Sequence, residues 1–257
     1  MRFFLTLAYK GTAYNGWQIQ PNAPSVQQTL QEALSTLLHE EIEVVGAGRT
    51  DTGVHASYYI AHFDTNNSMP LAGKDFCYHL NALLPKDIAA SEVRPVQEDA
   101  HARFDATLRE YKYYILQEKN PFSFETTYQY TVPLDVEQMN RAAALLKEYD
   151  DFTSFCKLHG NNKTNLCRIE QSEWKIDGNS LVYTVSADRF LRNMVRAIVG
   201  TLIDVGRGKI TVEQFREIIE ARSRGAAGSS APPQGLFLTH IEYPSELYIL
   251  TENQHDD

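Results

Sequence analysis

Between two short runs of strand character, Ile42-Glu43-Val44-Val45 and Tyr58-Tyr59-Ile60-Ala61, lies the stretch Gly46-Ala47-Gly48-Arg49-Thr50-Asp51-Thr52-Gly53-Val54-His55-Ala56. A loop that joins strands is where a sheet protein presents reactive groups. Asp51 stands between two threonines, with the Arg49 guanidinium two positions before it. A carboxylate in such a setting can act as a nucleophile or a general base. Gly46, Gly48 and Gly53 free the backbone for turns. The spacing does not fit Gly-x-Gly-x-x-Gly, and no Gly-Lys-Ser/Thr ending follows, so dinucleotide and nucleoside-triphosphate cradles are poor readings. The plain alternative is an Asp51 side chain that bonds a neighbouring backbone N–H, as in many Gly/Thr turns.

The elements around this loop read as a mixture of strands and helices. Strand patterns cover Arg2–Tyr9, Glu41–Ala47, Ser57–Asp64, Ile88–Val96, Arg109–Gln117, Arg168–Ile176, Leu181–Ala187 and Leu236–Glu242. Helical periodicity covers Val26–Leu38, Gly73–Leu83, Val136–Tyr149, Phe190–Val205 and Val212–Arg222. Ser25 with Gln28 spells a capping box for the first helix, Asp135 or Leu134 after Pro133 opens the third, and Thr211 is placed to cap the last. This order predicts an α+β fold built from two similar mixed or antiparallel sheet domains, with helices on one face. The boundary falls near Ala102–Leu108, giving an N-terminal domain over 1–105 and a C-terminal domain over 106–257. If the sheets meet edge to edge, the cleft between the halves is the natural site.

Two further constellations could serve a ligand. On a helical wheel over Phe190–Val205, Phe190, Leu191, Met194, Val195, Ile198, Leu202 and Val205 make one apolar face. Arg189, Arg192 and Arg196 fall within about 60° of one another on the other side, with Gly200 beside them leaving room for a close approach. Such a stripe is either a solvated face or one basic wall of a cleft suited to phosphate or carboxylate. In Arg109-Glu110-Tyr111-Lys112-Tyr113-Tyr114, a strand puts Arg109, Tyr111 and Tyr113 on one face. That is an ordinary half-buried strand or a platform on which a flat ring can stack.

Composition sets the outer bounds. The 257 residues are 43% hydrophobic and 22% charged, enough for a sizeable core. No apolar run approaches the length of a membrane span. Cys77, Cys156 and Cys167 are widely spaced with no CxxC pair, and the eight histidines lack HxxxH or HxH spacing. A disulfide framework or a zinc site is therefore a poor reading, and a reducing cytoplasm fits. The net charge of −9 runs against nucleic-acid binding, but the charge is uneven. Residues Arg189 to Arg224 carry eight basic side chains against four acidic ones, while the tail carries Glu246, Glu252, Asp256 and Asp257.

Taken together in order and spacing, these motifs resemble the TruA family of bacterial tRNA pseudouridine synthases through nearly the whole chain. The markers are Tyr9-Lys10-Gly11-Thr12 with Gly16-Trp17-Gln18, Ser25-Val26-Gln27, Gly48 to His55, His101-Ala102-Arg103-Phe104, Arg109-Glu110-Tyr111, Phe190 to Arg196 and Ala231 to Leu236. The resemblance implies isomerisation of uridine to pseudouridine at positions 38 to 40 of the tRNA anticodon arm, by a homodimer that needs no cofactor or metal. It implies Asp51 as the catalytic aspartate, Arg49 as an arginine of the same loop that meets substrate, and Tyr111 as the residue that stacks on the target base. It further implies Arg196 as the partner of the catalytic aspartate and Leu236 as an apolar wall of the pocket. Two other readings stay open on residues alone. One is a catalytically silent RNA binder with two RRM-like modules; the other is an acidic protein-interaction module, which leaves the arginine stripe without a task.

Overall fold

The computed structural model describes residues 1–66, 74–157 and 164–249. The expected helix start at Gly73 and the tail residues Glu252, Asp256 and Asp257 lie outside the described residues. In chain order the elements are β1 (Arg2–Tyr9), α1 (Val26–Leu38), β2 (Val44–Gly46), β3 (His55–Asp64), α2 (Lys74–Leu83) and β4 (Ile88–Val96). There follow β5 (Leu108–Leu116), β6 (Tyr128–Gln129), α3 (Val136–Leu145), β7 (Ile169–Asp177), β8 (Ser180–Ala187), α4 (Met194–Gly206), α5 (Val212–Glu220) and β9 (Leu236–Glu242).

Among the described residues all nine strands join one sheet, ordered β4-β1-β3-β9-β5-β8-β7, with β2 on β3 and β6 on β5. The two halves repeat one topology. The N-terminal strands lie in the order β2-β3-β1-β4 and the C-terminal strands in the order β7-β8-β5-β9. Each half sends one helix between its first and second principal strands, α1 or α3. The link between its last two carries α2 in one half and α4 with α5 in the other. The fold is therefore α+β with two similar sheet units, and the seam is the parallel pairing of β3 with β9, His55 against Phe237 and Ala56 against Leu238.

Alternation along the strands explains the two cores. In β1, Phe3, Leu5, Leu7 and Tyr9 share a face and are buried with Leu30 and Leu34 of α1 and Leu80 of α2. In β5, Tyr113 and Ile115 are buried with Met139 of α3, Ile198 and Leu202 of α4, and Phe215 of α5. Tyr111 packs against both cores, because β5 lies beside the seam.

Several boundaries differ from the sequence expectation for visible reasons. β2 is shorter because the Ile42 N–H goes to Ser35 Oγ and the Val44 N–H to Gln31 Oε1, so α1 side chains replace the strand ladder. The fourth helix starts at Met194, not Phe190, because Asn193 adopts a left-handed conformation with φ 64°. Helix α3 tightens into a 3₁₀ turn over Leu146–Glu148. The short β6 was not expected. Caps fared better: Asp135 accepts from Gln138 N–H and Thr211 with Gln214 forms a complete capping box, while the box expected at Ser25 is half formed, Ser25 accepting from Gln28 N–H but the Gln28 side chain donating to Glu32.

Candidate active site at the seam

The loop Ala47–Val54 leaves β2 at Gly46 and re-enters the sheet at His55. Along that edge, β3 pairs with β2 at its far end, from Ala61 to Phe63, and with β9 at its near end. The loop therefore rises where one half hands the sheet to the other. Bonds from outside the loop fix it. Tyr9 Oη lies 2.9 Å from Thr50 Oγ1, Trp17 N–H donates to the Thr50 carbonyl at 3.4 Å, and Gly53 N–H donates to the Tyr14 carbonyl at 3.3 Å. The Tyr59 hydroxyl donates to the Gly48 carbonyl. Gly16, at φ 90°, lets its segment lie so close to Thr50 that a Cβ would overlap the Thr50 carbonyl oxygen. Of the three loop glycines only Gly53, at φ 77°, uses the left-handed region expected of them.

With the backbone held in this way, the Asp51 side chain is free for another partner. Its Oδ2 accepts from Arg196 Nη1 at 3.1 Å, with the two side chains 27% and 19% exposed. Among the described residues the Asp51 carboxylate takes no backbone N–H, so the plain turn reading does not describe it. Arg196 is itself fixed. Its Nε donates to the Ala231 carbonyl at 2.8 Å, and the Ala231 N–H returns to the Arg196 carbonyl at 2.8 Å. The loop that carries Ala231 rests directly on α4 because Gly200 has no side chain; a Cβ there would overlap the Ser229 carbonyl oxygen. Tyr113 Oη donates to the Pro232 carbonyl at 2.8 Å. The N-terminal half thus contributes a half-buried acid and the C-terminal half a guanidinium with one N–H aimed at it, a charge-assisted contact.

Tyr111 and Leu236 stand at the same seam. The half-buried Tyr111 ring meets Phe190 edge to face, centroids 5.1 Å apart at 88°. Burial pushes its hydroxyl up to about 12, with the Arg109 charge opposing and the Asp51 charge adding to the effect, so it stays protonated at neutral pH. Leu236 is buried at the start of β9, opposite Tyr113 of β5.

The sequence model of the tRNA pseudouridine synthase family matches residues 6–105 and 142–244, one segment in each half. The chain belongs to that family. The tRNA pseudouridine synthase A of Bacteroides thetaiotaomicron is 55% identical over 253 residues, covering 96% of this chain and 92% of the relative. Those of Porphyromonas gingivalis and Bacillus subtilis are 52% and 40% identical, each covering 99% of the relative and 96% and 95% of this chain. Membership makes the chain an enzyme of the isomerase class, a tRNA pseudouridine synthase by family.

Within this family member the remaining candidates separate. Arg49 is exposed and, among the described residues, makes no hydrogen bond or ion pair through its side chain. Arg189 and Arg192 do not share a helical face with Arg196, because α4 begins after them; the expected stripe is broken at Asn193. His55 is fully buried, its Nδ1 accepting from Gly11 N–H at 2.9 Å, which leaves Nε2–H to donate to the Glu125 carbonyl at 3.0 Å. Burial lowers its pKa, so it is a neutral strut.

Sequence reasoning assigned no task to Arg109, yet its guanidinium gathers four backbone carbonyls. Nη1 donates to Ala106 at 3.1 Å and Asp188 at 2.9 Å; Nη2 donates to Ala47 at 3.1 Å and Arg103 at 2.6 Å. It ties the start of the Asp51 loop, the link between the halves and the end of β8 into one knot. The signals were its place on the same strand face as Tyr111 and in the marker Arg109-Glu110-Tyr111, and neither says what it bonds. Among the described residues no group of three or more His, Cys, Asp or Glu side chains is placed to hold a metal ion, and no helix is long and apolar enough to cross a membrane.

Proposed function

We propose that the protein isomerises uridine to pseudouridine at positions 38 to 40 of the tRNA anticodon stem-loop, with Asp51 as the catalytic group. The observation that carries this reading is the Asp51–Arg196 pair, assembled from opposite halves at 3.1 Å beside the half-buried Tyr111. The reaction breaks the C1′–N1 bond, turns the uracil, and joins C1′ to C5; N1 gains a proton and C5 loses one. Atoms balance within the nucleotide, so no cofactor is required. An ionised Asp51 attacks C1′ or assists departure of the base, and then handles the proton leaving C5. Arg196 holds that carboxylate and keeps it from bonding its own loop.

The target base must leave its stack, which costs a few kcal/mol. Stacking on Tyr111 returns about 1–3 kcal/mol. Leu236 gives an apolar wall that keeps the detached uracil in place until it rejoins the sugar. Arg49, exposed on the same loop, meets the RNA backbone. In this reading the units are 1–105 and 106–257, the enzyme acts in the cytoplasm, and two copies form a homodimer that shares the tRNA.

The test is Asp51→Asn, a replacement of nearly equal shape. Pseudouridine formation on a tRNA transcript should disappear while tRNA affinity stays within about threefold, since only one charge is removed. Transcripts carrying cytidine in place of uridine at 38, 39 or 40 locate the modified sites. An Asp51→Asn enzyme that turns over at the normal rate removes Asp51 from the mechanism.

A further inference from the structure

The motif His101-Ala102-Arg103-Phe104 remains without a task in the account above. Phe104 is 72% exposed, as Phe122 and Phe124 are also exposed, but it sits on a loop closed by its own hydrogen bonds. Nδ1 of His101 accepts the N–H groups of Arg103 at 3.1 Å and Phe104 at 3.3 Å. Asp105 Oδ2 accepts the His101 N–H at 2.7 Å, and the Asp105 N–H returns to the His101 carbonyl at 3.1 Å. Below them the Ala102 N–H donates to Nδ1 of His62 at 3.0 Å, and Tyr243 Oη donates to the Ala102 carbonyl at 2.5 Å. The rings continue this order: His101 lies 4.8 Å from His62 and 4.2 Å from Phe104, and the Arg103 guanidinium carbon lies 5.6 Å from the Phe104 centroid. An exposed apolar ring held by so many polar bonds is presented to a partner, not left over from packing.

The place of the loop names the partner. Arg109 bonds the Arg103 carbonyl and the Ala47 carbonyl with the same Nη2, so this loop and the Asp51 loop are fastened side by side. A flat apolar ring next to a guanidinium that makes no hydrogen bond or ion pair among the described residues matches a nucleotide, with base on ring and phosphate on cation. We propose that the His101–Asp105 loop is a docking shelf for an unpaired nucleotide of the bound RNA beside the one that enters the Asp51 site, with Phe104 stacking its base and Arg103 pairing with its phosphate. The proposal rests on the tRNA-modifying reading given above.

The test uses Phe104→Ala, Phe104→Trp and Arg103→Ala in the full chain. Affinity for a fluorescein-labelled tRNA transcript is read by anisotropy, oligomeric state by sedimentation, and turnover by tritium released from C5 of labelled uridine. Loss of one stacked base predicts about five- to 150-fold weaker binding for Phe104→Ala, with KM raised and kcat at saturating tRNA retained. Phe104→Trp restores the affinity, and its indole emission is quenched by RNA. Arg103→Ala reduces the slope of log affinity against log salt by about one. Wild-type affinity in Phe104→Ala, with tritium release intact in the parent, overturns the shelf and leaves the activity standing. A parent that releases no tritium but loses RNA on Phe104→Ala overturns the activity and leaves the shelf. A change in sedimentation in place of affinity makes the ring a protein contact and overturns the shelf; a parent with no affinity for tRNA overturns both.

Discussion

Replacing Arg109 with methionine keeps an unbranched stem, shorter than the arginine, and deletes every donor. Four carbonyls, those of Ala47, Arg103, Ala106 and Asp188, lose their partner at once. A net hydrogen bond contributes about 1 kcal/mol. Removing the cation also removes the cost of burying it, and burial already lowers the Arg109 pKa. The balance is a loss of about 3–4 kcal/mol, within the 5–15 kcal/mol typical of a domain, so the variant still folds. Arg109→Lys should recover less than half, because one ammonium cannot reach carbonyls spread around a planar fork. The functional effect runs through Ala47, which leads into the Asp51 loop. A displacement of about 1 Å at a reacting group costs about a hundredfold in rate. Urea unfolding gives the first quantity, from the midpoint at unchanged slope. Single-turnover tritium release at saturating tRNA, measured well below the melting temperature, gives the second. A methionine variant that loses under about 1 kcal/mol and reacts at the parental rate refutes the knot as described.

Arg196→Ala removes the partner of Asp51 and the hold on Ala231 together; turnover should fall about ten- to 150-fold, the range for a charge-assisted hydrogen bond, in single-turnover kinetics. Gly16→Ala should cost at least about 1–3 kcal/mol by differential scanning calorimetry and slow the reaction, since the Cβ meets the Thr50 carbonyl from a left-handed backbone position. Acidification should also destabilise the fold. His62, 5% exposed, has its pKa pushed down to about 4 by burial and then by Arg2, against about 6.5 unfolded. The unfolded chain thus binds more protons between those values. The stabilisation is complete above about pH 6.5 and is lost as pH falls toward 4, up to about 3 kcal/mol. Burial of His55 and His101 acts in the same direction. Urea midpoints against pH should show this slope, and His62→Gln should flatten it.

The strands and most helices were legible because alternation and caps are local. Phe3, Leu5 and Leu7 announce their strand, and Thr211 with Gln214 announces its helix. Local signals misled where a distant or unusual partner took over. Side chains of α1 intercept the backbone before β2, and the left-handed Asn193 delays α4 against an unbroken apolar period. The β3–β9 pairing is a bond between opposite ends of the chain, and nothing in either strand announces its partner. Asp51 was visible as the carboxylate of its loop, but the loop alone left the plain turn reading open, and its contact with Arg196 is set by the seam, so spacing and periodicity could not join them. Arg109 was invisible for a related reason: its task lies with carbonyls, which every residue carries.

The order of synthesis sets when such a site can exist. Asp51 leaves the ribosome early, whereas Arg196, Ala231 and β9 follow late. At about 5–20 residues per second the wait is on the order of tens of seconds. During that time β3 has a bare edge where β9 will lie, and the acid has nothing to hold it. On the proposed Asp51 mechanism, a nascent copy is inert toward the tRNAs crowding the machine that makes it, and activity waits for the last strand to close the sheet.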